Sequence, residues 1–212
     1  RLCCGLALGL GIYASWQALR PPDVVRRRVE LPSWPASARG YRIAHISDLH
    51  VGATIGRARV QMVVDAINRA EVDLVAITGD LVDGSVSALG PELAPLMQLR
   101  SRDGVFFALG NHEYFSPTED WVRFLPRLGV VVLRNRLHPL PAFDLVGLDE
   151  WSAPEFTSQH RPDVQAALRG RRSQLPAVVL VHQPQAARVL RSLNREAHSQ
   201  GLGSAVDLQL SG

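Results

Sequence analysis

Short apolar runs alternate with helix-like stretches along the chain from residue 41 onward. Within Arg57–Ala70, apolar side chains recur at helical spacing on one face, which predicts an amphipathic helix. The run Asp73–Thr78 has an uninterrupted apolar centre, which is typical of a strand whose two faces are both covered. The alternation of these two patterns predicts an α/β domain.

Seven strands and five helices follow from the same patterns. The predicted strands are Arg42–Ser47, Asp73–Thr78, Val105–Leu109, Val130–Leu133, Phe143–Gly147, Ala177–Val181 and Val206–Leu210. The predicted helices are Arg57–Ala70, Pro91–Leu99, Thr118–Leu128, Val164–Leu168 and Gln185–Leu193. The segment Asn135–Pro141 is turn-prone and separates two of the strands. We therefore assign residues 41–212 to one domain.

The amino-terminal run Leu2–Leu19 is apolar except at Ser15 and Gln17. A stretch of this length is close to the roughly 20 residues that span a bilayer, so residues 1–19 are interpreted first as a membrane anchor. The alternatives are the apolar part of a cleavable export signal and a buried helix. Residues 20–40 carry four prolines and are interpreted as an extended tether. We expect a protein of the cell membrane, with the side of the membrane left open.

The charge and cysteine content of the chain limit the kinds of partner and site that it can have. The formal charge is only +3, and the 23 basic residues are all arginines scattered along the chain, so no nucleic-acid partner is expected. Cys3 and Cys4 are adjacent within the apolar run, which argues against both a disulfide framework and a zinc knuckle. The chemistry must therefore come from oxygen and nitrogen side chains.

Five polar clusters lie where predicted strands end. They are Ser47–His50, Gly79–Asp83, Gly110–Glu113, Val181–His182 and Ser211–Gly212. Open α/β sheets bind their ligands at the carboxyl ends of strands, so these clusters are expected to meet at one edge. The intervals of 32 residues from Asp48 to Asp80 and 31 from Asp80 to Asn111 each match one strand–helix crossover.

The side chains in these clusters suit divalent metal ions. Asp48 and His50 are one residue apart, so on an extended segment they point the same way and can grip one ion. Carboxylate, amide and imidazole donors suit hard or borderline metals. The candidate metal ligands are Asp48, His50, Asp80, Asn111 and His182. Taken singly, each motif is also typical of a turn or a strand-end residue, and only their joint order favours a site.

The order D-x-H, G-D-x-x-D, G-N-H-E and a strand-end His resembles the calcineurin-like metallophosphoesterase superfamily, from Arg42 to Gly212. The segments ISDLHVG, ITGDLVDG and LGNHEY, with the preceding apolar run, are similar to membrane-associated bacterial phosphohydrolases. This resemblance implies an αββα sandwich of two mixed sheets flanked by helices, preceded here by an apolar helix.

The resemblance also implies a role for each candidate. Asp48 and His50 would bind a first metal, Asp80 would bridge, Asn111 and His182 would bind a second, His112 would be the acid, and Asp83 would orient it. Two cations would clamp the attacking and departing oxygens of an in-line displacement by a hydroxide held between them. Histidine is a side chain that can donate the proton an alkoxide leaving group needs. The alternatives are a hydrogen-bonded loop histidine for His112 and a turn-capping role for Asp83.

The expected activity is metal-dependent hydrolysis of phosphoric esters, with phosphodiesters favoured over monoesters. Two divalent ions are expected, and manganese, iron and zinc all accept these ligands. An anchored site suggests a lipid-linked phosphoester or a nucleotide–sugar–lipid substrate; the oligomeric state stays open. The alternatives are a non-catalytic phosphoesterase-like scaffold that binds a partner and a cytosolic nucleic-acid phosphodiesterase.

The superfamily pattern continues after Ser-Gly with a His-x-His pair, whereas this chain stops at Gly212. We therefore expect the 212-residue chain to bind metals weakly and to be nearly inactive, and the full-length product to be active. Among the remaining residues, we expect His45 to be buried in its strand and His198 to lie at the surface. We expect Asp149 to lie in a solvated turn, with a position lining the pocket as the alternative. Glu113 and Tyr114 are expected either to face substrate or to pack beneath the site.

Overall fold

The structure is a computed structural model that describes residues 9–11, 13, 20–201 and 203–212. The predicted amino-terminal helix and anchor, residues 1–19, fall mostly outside the described residues. Within the part of the chain that is described, no helix combines the length and the apolar character needed to cross a membrane.

The first sheet has four strands in the order β1-β2-β3-β4, and all its pairings are parallel. The strands are β1 (Ile43–Ile46), β2 (Leu74–Thr78), β3 (Val105–Ala108) and β4 (Val130–Val132). The crossovers contain helices α1 (Arg57–Ala70), α2 (Val86–Leu89) and α3 (Thr118–Phe124), with 3-10 segments at Gly90–Gln98, His112–Phe115 and Leu125–Leu128. Because each connection is a crossover, each strand returns in the same direction.

The second sheet has the order β5-β6-β7-β8 and is mixed. Its strands are β5 (Arg136–Pro139), β6 (Asp144–Gly147), β7 (Ala177–Leu180) and β8 (Leu208–Leu210). β5 and β6 pair antiparallel, whereas β6–β7 and β7–β8 are parallel. The connections contain α4 (Ala153–Phe156), α5 (Val164–Ala167) and α6 (Ala187–Ser199), and shorter 3-10 segments lie at Ala36–Ala38 and Pro184–Ala186.

The two sheets pack face to face between helical layers. Phe106 of β3, Leu145 of β6 and Val178 of β7 belong to one buried cluster that fills the space between the sheets. Separate clusters cover the outer faces: Val64 of α1 packs with the first sheet, and Leu190 of α6 packs with the second. The α/β fold with two sheets flanked by helices is therefore confirmed. The expectation of two mixed sheets is wrong for the first sheet, because its crossovers make every pairing parallel.

Two predicted elements differ from the observed ones. The turn-prone segment Asn135–Pro141 contains strand β5, which pairs with β6 through a tight connection in which Leu140 N donates to Phe143 O (2.9 Å). The predicted helix at Pro91–Leu99 is a 3-10 helix, Gly90–Gln98, with Pro95 inside it. Proline lacks the N–H that an α-helical hydrogen bond needs, so the tighter turn replaces it.

Candidate metal centre

The predicted ligands lie in loops that follow β1, β2, β3 and β7. Two of these loops are joined through the backbone, since His50 N donates to Asp80 O (3.0 Å). Asp48, His50 and Asp80 have left-handed backbone conformations, with φ of 55°, 48° and 51°. The expected extended segment at Asp48–His50 is therefore wrong. Few non-glycine residues adopt this region, and its use at three candidate ligands marks a constrained site.

Asp80 lies at the centre of the site. Its Oδ2 atom is 3.2 Å from His182 Nε2, 3.8 Å from His50 Nε2 and 3.8 Å from His112 Nε2. The residue is buried, with 4% of its surface exposed. One carboxylate oxygen thus faces three imidazole nitrogens from three other loops.

Two overlapping groups of side chains are spaced to hold metal ions. Asp48, Asp80 and His182 form one group, and His50, Asp80 and His112 form the other; within each, the potential ligand atoms lie within 4.8 Å of one another. Oxygen and imidazole donors without a thiol fit a divalent metal such as manganese, iron or zinc. The residues present therefore fit the metal ions that the motifs imply.

The grouping differs from the pairing that the motif resemblance implied. Asp48 groups with His182, and His50 groups with His112, although His50 Nε2 also lies 3.9 Å from Asp48 Oδ1. Asn111 lies in the same loop, directly before His112, whose backbone N donates to Asp80 Oδ1 (2.9 Å). The assignment of each residue to a particular ion stays a prediction.

Asp83 contacts two of the histidines with one oxygen. Its Oδ1 atom lies 2.7 Å from His112 Nδ1 and 2.9 Å from His50 Nδ1. A carboxylate at Nδ1 fixes the proton there and leaves Nε2 directed at Asp80, as the outer partner of a ligating histidine does. The motif resemblance implied that Asp83 orients His112, whereas the contact between Asp83 and His50 was not predicted.

Glu113 was expected either to face substrate or to pack beneath the site, and the structure shows it fully buried. Its carboxylate accepts hydrogen bonds from the backbone N–H groups of Gly110 (2.7 Å), Leu81 (2.8 Å), Asp80 (3.0 Å) and Val82 (3.3 Å). Glu113 thereby joins the two loops that follow β2 and β3. Burial raises the pKa of Glu113 to about 7, against the opposing effect of the N–H donors. The sequence feature that could have drawn attention to Glu113 is its place in the motif G-N-H-E, directly after a strand.

The charges of the site favour a proton or a cation at its centre. Burial would lower the pKa of His182, but hydrogen bonds to Asp80 and to the Thr78 carbonyl raise it to about 9. Burial opposes ionisation of Asp80, yet its contacts with His182 and His112 hold its pKa below the usual range. Because ligating histidines must be neutral, a metal ion would displace the His182 proton.

Residues from both sheets contribute to the site. His182 follows β7 of the second sheet, and its Nδ1 lies 2.9 Å from the carbonyl of Thr78 in β2. Gly212, beyond β8, also reaches it: its N–H donates to His182 O (2.9 Å), and a Cβ there would lie 2.7 Å from Asp48 Oδ2. The terminal cluster predicted at Ser211–Gly212 therefore ends beside the candidate ligands.

Two expectations for residues outside the ligand set are wrong. His45 is exposed rather than buried, with its Nε2 2.8 Å from Thr78 Oγ1. Asp149 is buried rather than solvated, and Arg134 donates to both its oxygens at 2.9 and 3.0 Å. His198 is exposed on α6, as expected.

Comparison with known proteins identifies relatives in animals and bacteria. A "Transmembrane protein with metallophosphoesterase domain" from Danio rerio is 36% identical over 84% of this chain and 43% of its own length. An "Uncharacterized metallophosphoesterase" from Helicobacter pylori is 36% identical over 81% of this chain and 43% of its own length. The chain thus spans less than half the length of these relatives.

A crystal structure of phosphopantetheinyl hydrolase from Mycobacterium tuberculosis covers 81% of this chain and 82% of its own, with a TM-score of 0.45 and 15% sequence identity. The model of the calcineurin-like phosphoesterase family matches residues 41–206, which include the residues of both candidate metal groups. This chain belongs to the calcineurin-like phosphoesterase family.

Proposed function

We propose that this protein hydrolyses phosphodiesters, using two divalent metal ions held around Asp80. Membership of the family implies a metal-dependent hydrolase of phosphoester bonds. The observation that carries the proposal is the position of Asp80 Oδ2 within 3.8 Å of the Nε2 atoms of three histidines. When bound, the two ions would polarise the phosphoryl oxygens and make water more acidic.

His112 is proposed as the group that protonates the departing oxygen rather than as a metal ligand, although it belongs to the second group of potential ligands. Asp83 holds its Nδ1, so Nε2 is the nitrogen free to face the reacting group near Asp80. The ring is partly exposed, which leaves room for an ester oxygen beside it. Alkoxides are poor leaving groups, and protonation by His112 favours phosphodiesters for this reason.

The proposal extends to the membrane. The Danio rerio relative and one from Bos taurus are named transmembrane proteins, and the apolar run in residues 1–19 of this chain is the segment that would provide an anchor. A lipid-linked phosphoester is the substrate class that such an anchor would bring to the site. Nucleic acid is not proposed as a partner.

Two variants test the assignment in protein produced from its complete gene. With bis(p-nitrophenyl) phosphate and Mn²⁺, Fe²⁺ or Zn²⁺, Asp80→Ala should abolish metal-dependent turnover because both groups share this residue. His112→Ala should lower kcat by about 10²–10⁴-fold. Calorimetry should show metal binding largely retained, because Asp80 remains with His50 in one group and with Asp48 and His182 in the other. Turnover equal to wild type in both variants would refute the role assignment.

A comparison of p-nitrophenyl phosphate with the diester tests the substrate class. We expect a higher kcat/KM for the diester at saturating metal. A strong preference for the monoester would contradict the assignment of the protein as a phosphodiesterase while leaving metal-dependent hydrolysis intact.

A further inference from the structure

Two exposed aromatic side chains lie beside the metal centre. Phe115 is 59% exposed and Phe156 is 44% exposed, whereas Phe106, Phe107 and Phe143 are fully buried. Exposure of one apolar side chain is ordinary, but two neighbouring rings at the edge of a polar site form a feature that marks ligand contact. We call Phe115 and Phe156 the aromatic platform.

Ring contacts connect the platform to the site. The Phe115 ring lies 4.5 Å from that of His112, and the Phe156 ring lies 5.7 Å from that of Phe115 at an angle of 68°. Tyr114 supports Phe156 from behind, with stacked rings 5.8 Å apart. The Tyr114 hydroxyl is buried and without a hydrogen-bond partner in the described residues, so this side chain is held by its ring packing.

The position of His112 fixes where a substrate would meet the platform. Its Nε2 lies 3.8 Å from Asp80 Oδ2, and its ring centroid lies 4.5 Å from that of Phe115. A phosphoryl group near Asp80 would therefore place its ester group beside His112, within reach of Phe115. Inorganic phosphate has no ester group and would therefore make no stabilising contact with these rings.

We infer that the platform binds a planar aromatic ester group of the substrate, an inference that rests on the proposed phosphoesterase function. Aromatic rings pair at centroid distances of about 4.5–7 Å in offset or edge-to-face arrangements. The planes of Phe115 and Phe156 differ by 68°, so an incoming ring can stack on one and meet the edge of the other. A flexible alkyl group cannot make these directional contacts and gains only buried area.

Inhibition by phosphonates tests the platform without the effect of leaving-group acidity. Phenylphosphonate, cyclohexylphosphonate and methylphosphonate are compared as competitive inhibitors of Mn²⁺-dependent diester hydrolysis. In wild type we expect phenylphosphonate to bind more tightly than the other two. Phe115→Ala and Phe156→Ala should each weaken phenylphosphonate by about 3- to 10-fold and methylphosphonate by less than about 2-fold, since the methyl group does not reach the rings.

Two further variants complete the test. Phe115→Trp keeps an aromatic face and should retain the preference for phenylphosphonate. Met97→Ala removes another exposed apolar side chain, 64% exposed, and should change none of the three inhibition constants. Met97 precedes Gln98, whose carbonyl accepts from Asn68 near the end of α1, at the opposite edge of the first sheet.

Three results would overturn the inference. Equal weakening of all three phosphonates would show a structural role for the rings, and cyclohexylphosphonate binding as tightly as phenylphosphonate in wild type would show apolar rather than aromatic recognition. Unchanged constants in both alanine variants of an active enzyme would refute the platform alone. Absence of metal-dependent turnover in wild type would refute the proposed function and with it this inference.

Discussion

At the scale of residues, the site depends on how its buried charges are satisfied. Asp80 is compensated by imidazoles, whereas the carboxylate of Glu113 accepts hydrogen bonds from four backbone N–H groups. Buried carboxylates are tolerated when hydrogen bonds replace the lost water. The two residues therefore have different roles: Asp80 faces the site, and Glu113 holds the backbone of the loop that contains Asp80.

Replacing Glu113 with glutamine tests whether its carboxylate holds the backbone in this way. The isosteric amide presents an NH₂ group toward backbone donors, so at least one N–H loses its acceptor inside the protein. We expect Glu113→Gln to lower the free energy of unfolding by about 2–3 kcal/mol and to weaken Mn²⁺ binding by about 10-fold or more. Urea denaturation and calorimetric titration measure the two effects.

The matched control is Glu155→Gln on α4, where the side chain is exposed. A change within about 0.5 kcal/mol is expected there. If Glu113→Gln were as stable as this control, Glu113 could not be the residue that holds the two loops together.

The pKa of His182 predicts how stability changes with pH when metal is removed. Because the folded-state pKa is raised from about 6.5 to about 9, the stabilisation is fully present below pH 6.5 and is lost as the pH rises through 9. In the presence of a chelator, we expect the free energy of unfolding to fall by about 1–3 kcal/mol between pH 6.5 and 9.5. Urea denaturation across this range measures the slope.

Two histidine variants identify the group responsible. His182→Asn should flatten the profile, whereas His198→Asn, which removes an exposed histidine on α6, should keep it. If the free energy of unfolding fell with pH equally in His182→Asn and in wild type, a group other than His182 would be responsible for the pH dependence.

At the scale of elements, the ligand loops depend on glycines that let two backbones approach. Gly79 has φ of +80°, and a Cβ there would lie 2.5 Å from Gly110 N and 2.9 Å from the Cβ of His182. A Cβ on Gly110 would overlap Asp80 Oδ1. Side chains at either position would push apart the loops that bring Asp80 and His182 together.

The variants Gly79→Ala and Gly129→Ala separate this close approach from backbone strain. Both glycines have φ of +80°, but a Cβ at Gly129 would meet no atom of the described residues within 4 Å. We expect Gly129→Ala to cost about 1 kcal/mol from strain and Gly79→Ala about 2–4 kcal/mol, with loss of metal binding only in the latter. Equal losses by urea denaturation would show that overlap with Gly110 and His182 contributes nothing.

The elements also show what the sequence can and cannot predict. The spacing of apolar residues predicts α1 at Arg57–Ala70 with its observed bounds, because an amphipathic face repeats at helical period over 14 residues. It misses β5, because Arg136–Pro139 has little apolar character of its own and is a strand through its pairing with β6. The local pattern of apolar residues thus predicts an element that has an apolar face of its own. It fails for a strand such as β5, whose conformation depends on pairing with a neighbouring strand.

The same distinction holds for the site. Asp48, Asp80 and His182 can be located from the sequence because each follows a strand. Their grouping depends on left-handed turns and on the approach of the second sheet, neither of which has a sequence period. The hydrogen bonds of Glu113 were not predicted, because its partners are backbone groups, which every residue carries.

At the scale of the whole molecule, the candidate metal centre joins the two sheets. Asp80 follows β2 in the first sheet and His182 follows β7 in the second, and their side chains lie 3.2 Å apart. The sheets otherwise associate through the apolar cluster that includes Phe106 and Leu145. A cation bound by both residues would therefore favour the packed state of the sandwich over the unfolded chain.

Binding of Mn²⁺ should raise the stability of the whole domain. At a metal concentration 100 times the dissociation constant, the free energy of unfolding should increase by about 2.7 kcal/mol, which corresponds to a rise in Tm of roughly 5–10 °C for a domain of this size. Differential scanning calorimetry with and without chelator measures the shift. Asp80→Asn removes the carboxylate common to both groups of ligands and should abolish it.

The control for this experiment is Asp65→Asn, which removes an exposed carboxylate from α1 and should leave the shift unchanged. A shift of equal size in Asp80→Asn would place the stabilising ion elsewhere, and no shift in wild type at saturating Mn²⁺ would mean that the ion does not join the sheets. Because Asp80 and His182 approach only when the sandwich is assembled, the metal-dependent Tm measures the folding of the centre and of the domain together.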